Sequence, residues 1–270
     1  MKTLGIVGGI APASTIEYYR MLVATYQQRR PDGSNPPVII NSIDMQTMLR
    51  LIAADALDEV TEYLGAEIDK LVQAGADFGL LASNTPHIVF DRLQRRSRIP
   101  LVSIVDATFD VAKRLNLTRV GLLGTRFTMQ SAAYPSVFTR RGITVVVPDA
   151  SDQEYVHGKY MSELVRGEYL PETRAGLLAV VERLRLREAV DSIILGGTEL
   201  PLILRDVAQV GIPFLDTGRI HVEAAVEHML GQGPRLNGPL RQPSTPEKAG
   251  PTDEGADDQW HPKHPNTPSS

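Results

Sequence analysis

Through residue 230, short apolar runs rich in Val, Ile and Leu alternate with longer segments of helical period, a pattern that calls for βαβ units and a parallel sheet. Residues 4–7 read as the first strand, broken at Gly8-Gly9. Pro12 then opens a helix whose apolar stripe is Ile16, Tyr19, Val23 and Tyr26. Residues 38–43 form the next strand. A helix over 58–74 presents Val60, Leu64, Ile68 and Leu71 on one face, with Gly75 as its stop. Strands at 78–82 and 101–105 follow. The rhythm restarts at 119–123, a strand ending in Gly124-Thr125, then a helix near 130–141 and a strand at 144–147. Helices over 153–166 and 171–186, strands at 192–195 and 213–216, and a helix near 218–230 complete it.

The two halves match in spacing. From the end of the first strand of each half to a small polar loop is about 75 residues, from Gly8 to Ser83 and from Gly124 to Gly197. The expected fold is α/β, with two pseudo-symmetric parallel-sheet domains whose strand carboxyl ends meet at a shared cleft, the place where open parallel sheets bind ligands. The first domain is assigned residues 1–115 and 214–230, and the second 116–213. Residues 231–270 are dense in Pro, Gly, Ser, Asp and Lys with Trp260 as their one large aromatic, and read as a disordered tail.

Composition narrows the function. A net charge of -4 and short basic clusters at Arg29-Arg30 and 92–98 leave no footprint for nucleic acid. No apolar run reaches the roughly 20 residues that span a bilayer, and the start leads straight into a strand, so no membrane partner and a cytoplasmic location are expected. The chain has no cysteine, which removes disulfides, thiolate metal sites and thiol nucleophiles.

Two strand-to-loop junctions carry the chemistry. Ala76 to His87 (ADFGLLASNTPH) runs into Ser83-Asn84-Thr85, and Val190 to Leu200 (VDSIILGGTEL) runs into Gly197-Thr198-Glu199. Small polar residues at the end of a buried strand offer hydroxyl, amide and backbone donors that converge on a carboxylate. Capping of the following helix by Ser83 or Asn84 would explain the first loop by itself. The pairing of two such loops favours a binding site. Gly5 to Pro12 (GIVGGIAP) has a strand, a glycine turn and a helix start, but lacks G-x-G-x-x-G spacing and the acidic partner of a dinucleotide site.

These motifs resemble the aspartate/glutamate racemase superfamily, in which each half ends such a strand with a cysteine, in segments of the type C-N-T-x-H and G-C-T-E. Ser83 and Gly197 stand at those two catalytic positions here. The resemblance implies substrate binding by Asn84, Thr85 and Thr198, places Glu199 beside the site, and makes Gly124-Thr125-Arg126-Phe127-Thr128 a cleft wall through Thr125 and Thr128. His87 matches the family histidine and reads equally as a packing residue. Arg166 falls where some aspartate racemases carry a lysine and could clamp a second carboxylate. Gln46 is the weaker counterpart of an arginine after the second strand. No cofactor and no metal are implied; a small carboxylate or amino acid is the implied partner, and a homodimer is compatible with the chain.

Racemisation without a cofactor needs an acid and a base on opposite faces of the α-carbon. A serine hydroxyl needs an adjacent base to be activated, and glycine has no side chain to exchange a proton. Two-thiol racemisation is therefore closed to this chain. Three functions are open: isomerase-type chemistry on an amino acid or related carboxylate with protons handled by Glu199, Asp44, His87 or water; a lyase, decarboxylase or cyclising reaction; and a carboxylate-binding pseudoenzyme. The empty side at Gly197 is expected to enlarge the pocket for a substrate bulkier than aspartate.

Overall fold

The computed structural model describes residues 1–204 and 210–233. The tail assigned to 231–270 lies outside the described residues from 234 onward, Trp260 included.

Two parallel sheets organise the chain. In the first, β1 (Leu4–Gly8) lies between β2 (Val38–Ser42) and β3 (Phe78–Leu81). In the second, β4 (Arg119–Gly124) and β6 (Ser192–Gly196) are central, flanked by β5 (Thr144–Val146) and β7 (Phe214–Asp216). Strands β1, β3 and β6 are buried along their whole length, as near-continuous apolar runs in parallel sheets require. The helices are α1 (Pro12–Arg29), α2 (Met45–Ala53), α3 (Leu57–Gln73), α4 (Phe90–Arg96), α5 (Ile104–Arg114), α6 (Arg126–Gln130), α7 (Ala133–Phe138), α8 (Ala150–Ser162), α9 (Pro171–Glu188), α10 (Leu200–Ile203) and α11 (Thr217–Met229). One core layer packs Val60, Leu64, Ile68 and Leu71 of α3 beneath the first sheet, and a matching layer packs Leu177, Val180, Val181 and Leu184 of α9 beneath the second.

Several sequence expectations are corrected. The face that α1 buries is Tyr18, Leu22 and Tyr26, while Ile16 and Tyr19 are 63% and 46% exposed. Both stripes have helical spacing and share Tyr26; packing of α11 against α1 selects the other one, and the Tyr18 hydroxyl donates to His221 Nδ1 at 3.1 Å. The strand expected at 101–105 shrinks to one bridge between Gly79 and Leu101. Ser103 starts α5 instead, its Oγ accepting the Asp106 N–H at 3.0 Å, so an N-cap outweighs the β-branched run Val102-Ser103-Ile104-Val105. The single helix near 130–141 is split into α6, α7 and a 3-10 turn, because Ser131 is extended between the helices. Helix α2 is capped by Asp44, whose side chain accepts the Gln46 N–H.

The segment 214–230, assigned to the first half, divides. Strand β7 belongs to the second sheet: the Pro213 carbonyl accepts from the Ile193 N–H at 3.1 Å and the Ser192 hydroxyl at 2.9 Å, which sets its register against β6. Helix α11 then crosses back and packs Val222, Ala225, Val226 and Met229 among Leu4, Tyr18, Leu22 and Tyr26.

Candidate active site

The loop after β3 is held by its own backbone. The Ala82 N–H reaches the Val7 carbonyl at 2.9 Å and the Ser83 N–H that of Leu81 at 2.8 Å, after which Thr85–Val89 forms a 3-10 turn. Neither Ser83 nor Asn84 caps that turn through its side chain. Asn84 is buried and faces the other half: its amide donates to Thr217 Oγ1 at 3.0 Å, and the Tyr134 hydroxyl donates to its carbonyl oxygen at 2.6 Å. The Thr217 hydroxyl in turn donates to the Leu195 carbonyl at 2.8 Å. Burial pushes the Tyr134 phenol up, so it remains a donor.

Thr85, Thr125 and Thr128 form a hydroxyl row. Thr85 Oγ1 lies 3.3 Å from Thr125 Oγ1, which lies 3.2 Å from Thr128 Oγ1. Thr125 also begins α6, accepting the Thr128 N–H at 3.3 Å. This row joins the loop after β3 to the loop after β4.

His87 is structural. Its Nε2 accepts the Ile104 N–H at 3.2 Å, which leaves Nδ1–H to donate to the Ser83 carbonyl at 2.9 Å, and its ring stacks on Phe90. Burial, reinforced by the neighbouring His221 ring, lowers its pKa to about 3. With both nitrogens engaged it has no free position for proton transfer. Asp44 is likewise occupied, accepting the Gln46 N–H at 2.9 Å and the Thr47 hydroxyl at 2.7 Å, bonds that hold its carboxyl below the usual range.

The second loop is organised around Glu199, which is only 3% exposed. The hydroxyls of Ser14 and Tyr160 both donate to its carboxylate, and the Thr198 hydroxyl lies 2.9 Å from Oε2 and 2.8 Å from Ser14 Oγ. Burial first, and then the charge of Glu199, push the Tyr160 phenol well above its ordinary value. Tyr160 also resolves what fills the space at Gly197. A Cβ built on Gly197 would sit 2.4 Å from Tyr160 Cε2 and 2.7 Å from its hydroxyl. The expected enlargement of the pocket is thus corrected: glycine makes room for the ring of Tyr160.

Ser83, Thr85, Thr125, Tyr160 and Glu199 line one cavity, closed by Ile10, Ala11, Met45, Leu49, Met161 and Val165. Its volume is about 30 Å³, against the roughly 300 Å³ at the lower end for ligand sites. Thr198 does not line this cavity but a second one of about 230 Å³, shared with Ser14, Tyr18 and Asp216. Arg166 and Gln46 are exposed and do not line the first cavity; their neighbours Val165 and Met45 do. The glycine turn after β1 is satisfied internally, with the Gly9 N–H bonded to Thr15 Oγ1 at 2.7 Å. Among the described residues no cluster of His, Cys, Asp and Glu could hold a metal ion, and no helix is long and apolar enough to cross a membrane.

The sequence reading missed Tyr160 and Ser14. A tyrosine on a helix 30-odd residues before the second loop reads as core, and the only signal for Ser14 was its place just after the Pro that opens α1.

The family model for Asp/Glu/Hydantoin racemase matches residues 7–225. Over 234 residues the chain is 27% identical to the broad specificity amino-acid racemase RacX of Bacillus subtilis (strain 168), a match covering 84% of this chain and 98% of that one. Among solved structures, an aspartate racemase homologue from Pyrococcus horikoshii OT3 superposes with a TM-score of 0.74 at 30% identity, over 85% of this chain and 100% of that one. The Picrophilus torridus aspartate racemase shares the fold, with a TM-score of 0.66 at 22% identity over 88% of this chain and 96% of that one.

Proposed function

Because the chain belongs to the Asp/Glu/Hydantoin racemase family, we propose that it binds an amino acid or related small carboxylate between its two halves and performs isomerase-type chemistry there by a route that uses no thiol. The observation that carries this reading is the shared cavity: Ser83 and Thr85 come from the first sheet's loop, and Thr125, Tyr160 and Glu199 from the second half. The hydroxyls of Ser83, Thr85 and Thr125 are the donors for a substrate carboxylate. Glu199, the one carboxylate on the cavity wall, and the Tyr160 phenol that donates to it are the two groups there that can carry a proton to or from a bound ligand.

A second reading, carboxylate binding without turnover, is favoured by one observation. Among the described residues no basic group is bonded to the Ser83 hydroxyl, and the nearest histidine in sequence, His87, is engaged at both nitrogens. The test is a thermal-shift panel of amino acids and their carboxylate analogues, followed by α-proton exchange in deuterated water read by NMR. The isomerase reading expects stabilisation by at least one amino acid, with exchange at its α-carbon. Stabilisation with no exchange supports the binder. No stabilisation by any member overturns both.

A further inference from the structure

Glu199 is a buried carboxylate whose partners are all neutral hydroxyls. Ser14, Thr198 and Tyr160 supply them, and among the described residues it forms no ion pair. The other buried acidic side chains among the described residues each have a cation: Glu67 has Lys70, and Glu163 has Lys159. A buried anion without a counterion is unfavourable, and Glu199 lines the cavity assigned to the ligand.

We propose that Glu199 is the receptor for the α-ammonium group of the ligand, which replaces the Tyr160 hydroxyl on its carboxylate. The proposal rests on the reading of this cavity as an amino-acid site and adds which ligand group goes where. The ligand carboxylate meets Ser83, Thr85 and Thr125, and the ammonium group meets Glu199. Charge matching is the first reason, since the ammonium supplies the missing cation. Space is the second. The cavity of about 30 Å³ holds only a water or two, and the Tyr160 ring occupies the volume over Gly197. An ammonium group that takes over the carboxylate releases the phenol, so the ring can leave that volume as the ligand enters. Binding and opening of the cavity are one exchange of partners.

The experiment compares ligand pairs that differ only at the α-substituent, alanine against lactate and aspartate against malate, by calorimetry on the full chain. The parent protein is expected to bind each amino acid at least tenfold more tightly than its hydroxy acid. In Glu199→Gln the ratio should collapse to within threefold. Tyr160→Phe, which keeps the Glu199 charge and removes its competing hydroxyl, should bind amino acids several-fold more tightly with hydroxy acids little changed; this variant decides the matter if Glu199→Gln does not fold. Equal binding within each pair, or weaker amino-acid binding by Tyr160→Phe, overturns the ammonium assignment and leaves the carboxylate site standing. Binding of neither class overturns the site itself.

Discussion

Gly197→Ala should destabilise the protein, although glycine to alanine is usually mildly favourable where the backbone allows it. The backbone at 197 is not in the left-handed region, so the change gains about 0.4–1 kcal/mol by restricting the unfolded chain. Against that, the new methyl would sit 2.4 Å from Tyr160 Cε2. Forcing an extra carbon into a packed interior costs about 1–3 kcal/mol. If the ring moves to relieve it, the phenol loses its bond to the Glu199 carboxylate, a charged hydrogen bond worth about 1.5–3 kcal/mol. The net expectation is a loss of about 2–4 kcal/mol. Urea unfolding of the parent, Gly197→Ala, Tyr160→Ala and the double variant measures it as a cycle. In the Tyr160→Ala background the alanine at 197 should cost less than about 0.5 kcal/mol, giving a coupling of at least 1.5 kcal/mol. Additive effects, or a harmless Gly197→Ala, would refute the claim that Tyr160 fills the space of a side chain at 197. The same cycle built with cysteine at 197 and at 83 tells whether thiols restore α-proton exchange only after Tyr160 has been cut back.

Stability should fall on acidification from pH 7 to 5. Burial holds His87 and His221 at pKa values of about 3 and about 4, below the unfolded value near 6.5. The unfolded chain therefore binds more protons, and the stability present above pH 6.5 is lost as pH falls towards those folded values, by about 2 kcal/mol per ring at pH 5. A change of less than 1 kcal/mol in total by urea unfolding would contradict this. Asn84→Ala should cost about 2–4 kcal/mol, because it leaves the buried Tyr134 and Thr217 hydroxyls without their shared partner; a cost under 1 kcal/mol would count against the bridge. Arg166→Leu should change the preference for dicarboxylates over monocarboxylates by less than threefold, since the side chain is exposed and off the cavity wall. A tenfold loss of that preference in a binding assay would return Arg166 to the site.

The strands were legible because burial on both faces writes them as unbroken apolar runs, as in β3 and β6. The loops Ser83-Asn84-Thr85 and Gly197-Thr198-Glu199 were legible as a pair, because two small polar runs at matching distances from the first strand of each half are more than helix capping of one loop explains. What each side chain faces was not. Asn84 and Thr85 are adjacent in sequence, yet one turns to Tyr134 and Thr217 and the other to the cavity. That division depends on residues 50 and 133 positions away in the chain. The wrong stripe on α1 has the same origin: periodicity identifies a helix but leaves two overlapping faces, and only the docking of α11 decides between them. Tyr160 was invisible because its role depends on an absence, the missing Cβ at Gly197.

The hydrogen bonds from Asn84 to Thr217 and between Thr85 and Thr125 run across the seam between the two sheets. Helix α11 crosses the same seam, leaving β7 in one sheet to pack on α1 beside the other. Hinge motion about this seam would have to break buried polar bonds and uncover α11, so the halves cannot swing apart as independent flaps. Beside the cavity a further tether joins the halves, from Ser14 on α1 to the Glu199 carboxylate and Thr198, whereas Met45, Leu49, Met161 and Val165 close the cavity with apolar side chains alone. Access to the interior is therefore a matter of side chains and short helices yielding locally, and the two sheets should melt together as one cooperative unit.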